Sequence, residues 1–408
     1  MRYQEMFRWR LVALIVLCLF SLNGYANRDD DDDDDDEMDE VTAEELAMEN
    51  IPVDERIFRV RWNEVPFDKR FFTYTDDQIK EKWDYLMRGL RIPYPSAEYM
   101  RAQSAKYPFV LHGIKDFDGD FDKLEKRYVD VWRKFFAGDY QQARNAGLEL
   151  GPIGLIPALF SQLMYGIYLT ERQSEKYMML QDVANRALEY FDEVTEIEDD
   201  PEIKTLAAAV RLGYAYAIAR IAEESPIPIV VARGYIGKIK GNSDHITDLV
   251  PDHPLGHAFR AGVDAGIMRR VGKFTGRMTY NARSTVVGSS FGKARKLTPD
   301  IPIVAYEHGN ALIYMNRNRN INEALALFEE ASKMQPQFAM DALDTMYAHK
   351  RLQEVRLYTE NYRSFRKFEK DRRRFSRVTD RNLTSIVSPV LTMEMLNNPE
   401  NYRLPERR

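Results

Sequence analysis

Phe291, Ala294 and Pro299 recur 37 residues later as Phe328, Ala331 and Pro336, keeping separations of three and five in both copies. A period of that length is one helix-turn-helix unit, which cannot bury its apolar face alone and must stack on a neighbour. Within such a unit the alanine lets two helices approach closely. The aromatic residue one turn earlier fills the groove between hairpins, and the proline ends the helix. Ala324, four residues before Phe328, continues the same face. Helical periodicity extends through the body: Leu124, Tyr128, Val131, Trp132 and Phe135 form one apolar stripe, and Thr75 with Gln78 has the spacing of a capping box. Further helices are expected over 156–168, 175–196, 201–223, 255–268, 284–296, 303–315, 322–334 and from 338 onward. Alternating strand patterns are nearly absent, and Pro226 and Pro228 make 226–231 a connection rather than a strand. The expected fold class is all-α, a helical-hairpin array or α-solenoid, with an irregular helical bundle as the alternative.

The Ala324, Phe328, Ala331, Pro336 series resembles the second helix of a tetratricopeptide repeat (TPR), and Gly138, Asp139, Tyr140 and Ala143 resemble the entry to another. The aromatic and the Leu-Gly pair that first helices of such repeats carry are missing or displaced, and 316–320 is an insertion. Together with Pro251, Asp252, His253, Pro254 and His257 ahead of a glycine-rich helix, this is similar to the periplasmic T component of TRAP transporters. That resemblance implies a helical-repeat protein associated with a transporter substrate-binding subunit.

The chain ends carry their own signals. Arg2, Arg8 and Arg10 precede an apolar stretch from Leu11 to Leu22, and Gly24, Tyr25 and Ala26 follow as a cleavage site. The stretch is shorter than the roughly 20 residues of a membrane span. Residues 1–26 are therefore expected to be a signal peptide, giving an exported, periplasmic or secreted protein. The only cysteine, Cys18, lies inside that peptide, so no disulfide or thiolate metal site is expected. Residues 27–49 hold 14 acidic residues and one basic residue, including an unbroken run from Asp29 to Asp36. So many like charges cannot offset the cost of ordering, and a disordered acidic arm is expected. From Asn50 onward, 54 basic residues face 49 acidic ones. An N-terminal helical or irregular segment is assigned to 50–119, a repeat domain to 120–377 and a tail to 378–408.

Candidate chemistry is sparse. His253 and His257 stand four apart at a helix start, a spacing that suits a metal, and Glu307 could join them across the repeat. Helix capping is the competing reading, with Asp252 near the positive end of the dipole. Neither a nucleophile-elbow serine nor a phosphate-binding glycine loop is present. Gly147, Gly151 and Gly154 read as a buried turn; Gly262, Gly266, Gly272 and Gly276 read as smooth patches for close helix approach. Arg269, Arg270, Lys273, Arg277 and Arg283 alternate with those glycines and could form an anion-attracting face. Arg363, Arg366, Lys367, Lys370, Arg372, Arg373, Arg374 and Arg377 form a second basic surface, open to a membrane headgroup, a partner or the acidic arm. Export argues against nucleic acid. The expected function is a binding or adaptor module without cofactor or catalysis, engaging a protein partner. An envelope enzyme or metal-binding protein using His253 and His257, or a self-associating structural protein, are the rival readings.

Overall fold

The hydroxyl of Thr75 accepts from the Gln78 amide while the Gln78 side chain accepts from the Thr75 amide at 2.9 Å, so the capping box opens a helix as its spacing requires. This is α1 (Asp76–Leu86) in a computed structural model that describes residues 53–170 and 172–361. The expected signal peptide, acidic arm, Arg363–Arg377 basic surface and C-terminal tail lie outside the described residues.

Helix follows helix along the chain: α2 (Ala97–Lys106), α3 (Phe121–Ala137), α4 (Tyr140–Leu148), α5 (Leu155–Met164), α6 (Gln173–Leu188), α7 (Phe191–Ile197), α8 (Lys204–Glu224) and α9 (Ile227–Ala232). Then come α10 (Tyr235–Leu249), α11 (Pro254–Val271), α12 (Lys273–Tyr280), α13 (Ser284–Leu297), α14 (Pro302–Ser332) and α15 (Ala339–Asn361). No strand occurs among the described residues. The two prolines of 226–231 fall at the start of the short α9. The stretch expected as one helix over 175–196 is broken at Tyr190 into α6 and α7. The separate helices expected at 303–315 and 322–334 are the two limbs of α14, which breaks at Asn316 (φ −164°, ψ 92°).

The longer helices pack in a repeating order: α4 on α5, α5 on α6, α6 on α8, α8 on α10, α10 on α11, α11 on α13 and on α14, α14 on α15. This stacked, solenoid-style pattern follows from successive helices, each packing its apolar side on a neighbour. The α4–α5 turn depends on two glycines. A Cβ on Gly154 would stand 2.0 Å from the Gly147 carbonyl oxygen, and one on Gly147 would stand 2.8 Å from the Gly154 oxygen.

The stack also returns on itself. All five residues of the α3 stripe are buried, and Phe338, at the entry to α15, lies 6.2 Å from Phe135 and 5.4 Å from Phe136 between ring centres. Gly138 ends α3 in the left-handed region at φ +87°, where a Cβ would meet Val65 at 2.8 Å and Ala339 at 3.0 Å. Trp83 of α1 meets Trp132 of α3 edge to face at 6.0 Å. Residues ahead of position 120 therefore share one core with α3 and α15.

Candidate functional site

The two repeat copies place their aromatic residues as wedges on either side of one helix. Phe291, Ala294, Ala324, Phe328 and Ala331 are each 0% exposed, as is Ala143 of the earlier unit. The Phe291 ring stacks on His308 at 4.7 Å and 19°. The Phe328 ring lies against the adjacent residue, so a Cβ built on Gly309 would stand 2.6 Å from its Cε1. His308 and Gly309 thus offer the first limb of α14 to the wedge of the preceding hairpin and to its own. Pro299 follows the end of α13 by two residues and Pro336 the end of α14 by four.

The histidine pair is split between structural duties. His253 is the N-cap of α11, its Nδ1 accepting from the Gly256 amide at 2.9 Å. Burial, then the neighbouring His257, hold its imidazole down to about 4. His257 Nε2 contacts the Pro251 carbonyl oxygen at 2.7 Å, which fixes that nitrogen as the donor. Burial lowers its pKa too. Glu307 is engaged elsewhere, accepting from Arg220 Nη2 at 2.8 Å. Among the described residues no group of three or more His, Cys, Asp or Glu could hold a metal. The capping role anticipated for this turn is filled by His253 itself, while Asp252 is exposed.

A buried polar seam joins the π-helical turn Tyr165–Leu169 to α8, α14 and α15. Tyr168, 3% exposed, donates its hydroxyl to Asp344, 2% exposed. Burial pushes both groups well above their ordinary values, with Asp341 and Glu307 adding to the rise at Asp344. Arg220 reaches from α8 to the Tyr216 hydroxyl at 2.8 Å as well as to Glu307. Further along, Arg88 pairs with Asp341 at 3.0 Å, and Asp341 also accepts from the Gln337 amide at 3.0 Å. Arg88 and Asp341 border a cavity of about 30 Å³ lined by Trp132, Phe135, Phe136 and Phe338, a space for a water-sized group. Metabolite pockets are at least about tenfold larger. These contacts tie α8 to α14, the Tyr165–Leu169 turn to α15, and α15 to the residues just after α1. Sequence reading missed the seam because Tyr168 and Asp344 lie 176 residues apart.

The glycine expectation needs correcting. Gly276 does pack closely, a Cβ there lying 3.4 Å from Ile267, but Gly262, Gly266 and Gly272 have nothing within 4 Å of the Cβ position. Their faces are open. Of the basic residues beside them, Arg269 lies over the Tyr314 ring at 4.3 Å and Arg270 bonds the Glu223 and Ser225 carbonyl oxygens, closing the end of α8. Lys273, Arg277 and Arg283 are exposed. No protein-family model matches the chain, and no curated protein or solved structure matches it.

Proposed function

We propose that this chain is an exported adaptor, a divergent tetratricopeptide-type array that holds a protein partner and performs no catalysis. The observation that carries this reading is the pair of buried wedges on the first limb of α14, Phe291 of the preceding hairpin stacked on His308 and Phe328 of its own hairpin set against Gly309. Stacking of that kind generates extended surfaces between successive helices, the usual setting for protein recognition in repeat proteins. The stack carries polar groups that lock helices together, in keeping with a scaffold whose buried charges set register. The partner class that best suits an exported array of this pattern is the substrate-binding component of a transporter.

Two measurements test the proposal. Intact mass of the mature protein from its own cells should begin at Asn27, and a species retaining residues 1–26 would remove the envelope setting. Affinity isolation of the tagged full chain from the envelope fraction should recover one second protein in fixed ratio. Recovery of the chain alone, or substrate turnover by the purified chain, would overturn the adaptor reading.

A further inference from the structure

Helix α12 is an excursion. The helices on either side of it, α11 and α13, pack directly against each other, and α12 lies outside that hairpin, resting on α11 and α10. The chain leaves α11 through Gly272 at φ +80° and returns through Asn281 at φ +55°, two positive-φ breaks that bound the short helix. One side is anchored by Gly276, which is buried against Ile267 and Met268. At about 100° per residue, Phe274, Arg277 and Met278 fall together on the opposite arc. Phe274 is 78% and Met278 70% exposed, the two most exposed large apolar side chains of the described residues. Burying either inside the protein would stabilise it, so an aromatic and a methionine left in water on a helix outside the α11–α13 hairpin point to an external apolar phase.

Charge identifies that phase. From Ala265 to Pro299 the chain has no acidic residue and eight basic ones. Lys273 and Arg277 lie on α12 itself, exposed Arg283 follows it, and Lys293 and Lys296 on α13 are exposed too. The neighbouring acids are committed: Asp264 pairs with Lys240 at 2.9 Å, and Asp244 with Lys240 and Arg260. A protruding apolar pair ringed by cations matches a surface that is anionic outside and hydrocarbon beneath.

We infer that α12 docks this protein onto an anionic lipid bilayer, with Phe274 and Met278 entering the headgroup–acyl boundary and Lys273, Arg277 and Arg283 meeting lipid phosphates. No described helix is long and apolar enough to cross a membrane, and the docking is superficial. The acidic arm fits less well. Residues 29–37 carry only carboxylates, which would neutralise the cations and leave Phe274 in water. This inference is independent of the adaptor reading.

The test uses the chain from Asn27 onward, which holds no cysteine, with Met278→Cys, a nitroxide on the new thiol, and vesicles of phosphatidylcholine with or without about one-third phosphatidylglycerol. Adding the anionic vesicles should raise the label's accessibility to oxygen and lower that to a water-soluble nickel complex. In sedimentation, Phe274→Ser and Arg277→Glu should each weaken binding about tenfold, about 1.4 kcal/mol, without changing the melting temperature. Three results would overturn the inference. One is equal binding to neutral vesicles. Another is vesicle binding with no change at position 278, which places the contact elsewhere, such as Arg363–Arg377. The last is a label shielded from both quenchers before vesicles are added, which identifies the arm or a second copy as the occupant.

Discussion

Replacing Gly309 by alanine should destabilise the parent protein and stabilise the Phe328→Ala variant. In a helix interior, Gly→Ala ordinarily gains about 1 kcal/mol from helix propensity alone. At Gly309 the added methyl would lie 2.6 Å from Phe328 Cε1 and 3.0 Å from Cδ1 and Cζ, well inside the roughly 3.5 to 4.0 Å of an ordinary carbon contact. The ring cannot swing aside, because Phe328 is fully buried with Tyr306 5.8 Å away. Overpacking of this kind costs about 1 to 3 kcal/mol and outweighs the propensity gain, leaving a net loss of about 1 kcal/mol. Phe328→Ala alone should cost about 3 to 5 kcal/mol, the transfer of a buried ring plus the cavity left behind. Once the ring is gone the methyl meets no obstacle and fills part of that cavity. The double variant should then be about 1 kcal/mol more stable than Phe328→Ala. Urea unfolding followed by far-UV circular dichroism reads all four proteins, with the slope of the transition checking that each unfolds the same way. Gly309→Ala stabilising the parent, or simple additivity across the cycle, would refute the wedge geometry.

Gly154→Ala brings a methyl to 2.0 Å from the backbone oxygen of Gly147, which no rotamer can relieve; loss of more than about 3 kcal/mol, or failure to fold, is expected, read by the same unfolding curves. His253 contributes a pH dependence whose sign follows from its lowered pKa. The unfolded chain takes up a proton below about 6.5 while the folded one resists to about 4, so stability is full above 6.5 and falls by about 3 kcal/mol as pH drops through that window. His308, also lowered to about 4 by burial, adds in the same direction. His253→Asn keeps a capping acceptor without the titration and should flatten part of the slope in melts run between pH 7 and 4. At Asp344 the sign is opposite. Its raised pKa means that the fold holds a proton the unfolded acid releases, so stability declines as pH rises above the ordinary carboxyl range. Asp344→Asn, which still accepts from Tyr168, should therefore raise the melting temperature at pH 8, and the gain should shrink toward pH 4.

The helices were legible because apolar residues at three- and four-residue spacing admit one local solution, as in the α3 stripe, and because the Thr75–Gln78 box is a local device. The wedge residues were legible for the same reason. Their contacts, His308 for Phe291 and Gly309 for Phe328, were not, since they lie 17 residues after the one wedge and 19 before the other. Gly262 and Gly266 were misread because glycines four apart look the same from sequence whether a helix or solvent faces them. The Tyr168–Asp344 and Arg88–Asp341 contacts close the stack between residues 176 and 253 positions apart, and pairing at that range leaves no local pattern. His253 shows a further ambiguity: a histidine at a helix start with another four residues on has both the spacing of a metal ligand and the geometry of a cap, and the Gly256 amide at 2.9 Å shows that its Nδ1 serves the cap.

The adaptor reading is tested most directly by native mass spectrometry of the tagged chain, released gently from the envelope of its own cells without cross-linking. A single assembly whose mass equals the mature chain plus a different protein in fixed ratio is the expected result. A spectrum holding only the monomer or its symmetric multiples would contradict it and leave a self-associating structural protein in its place.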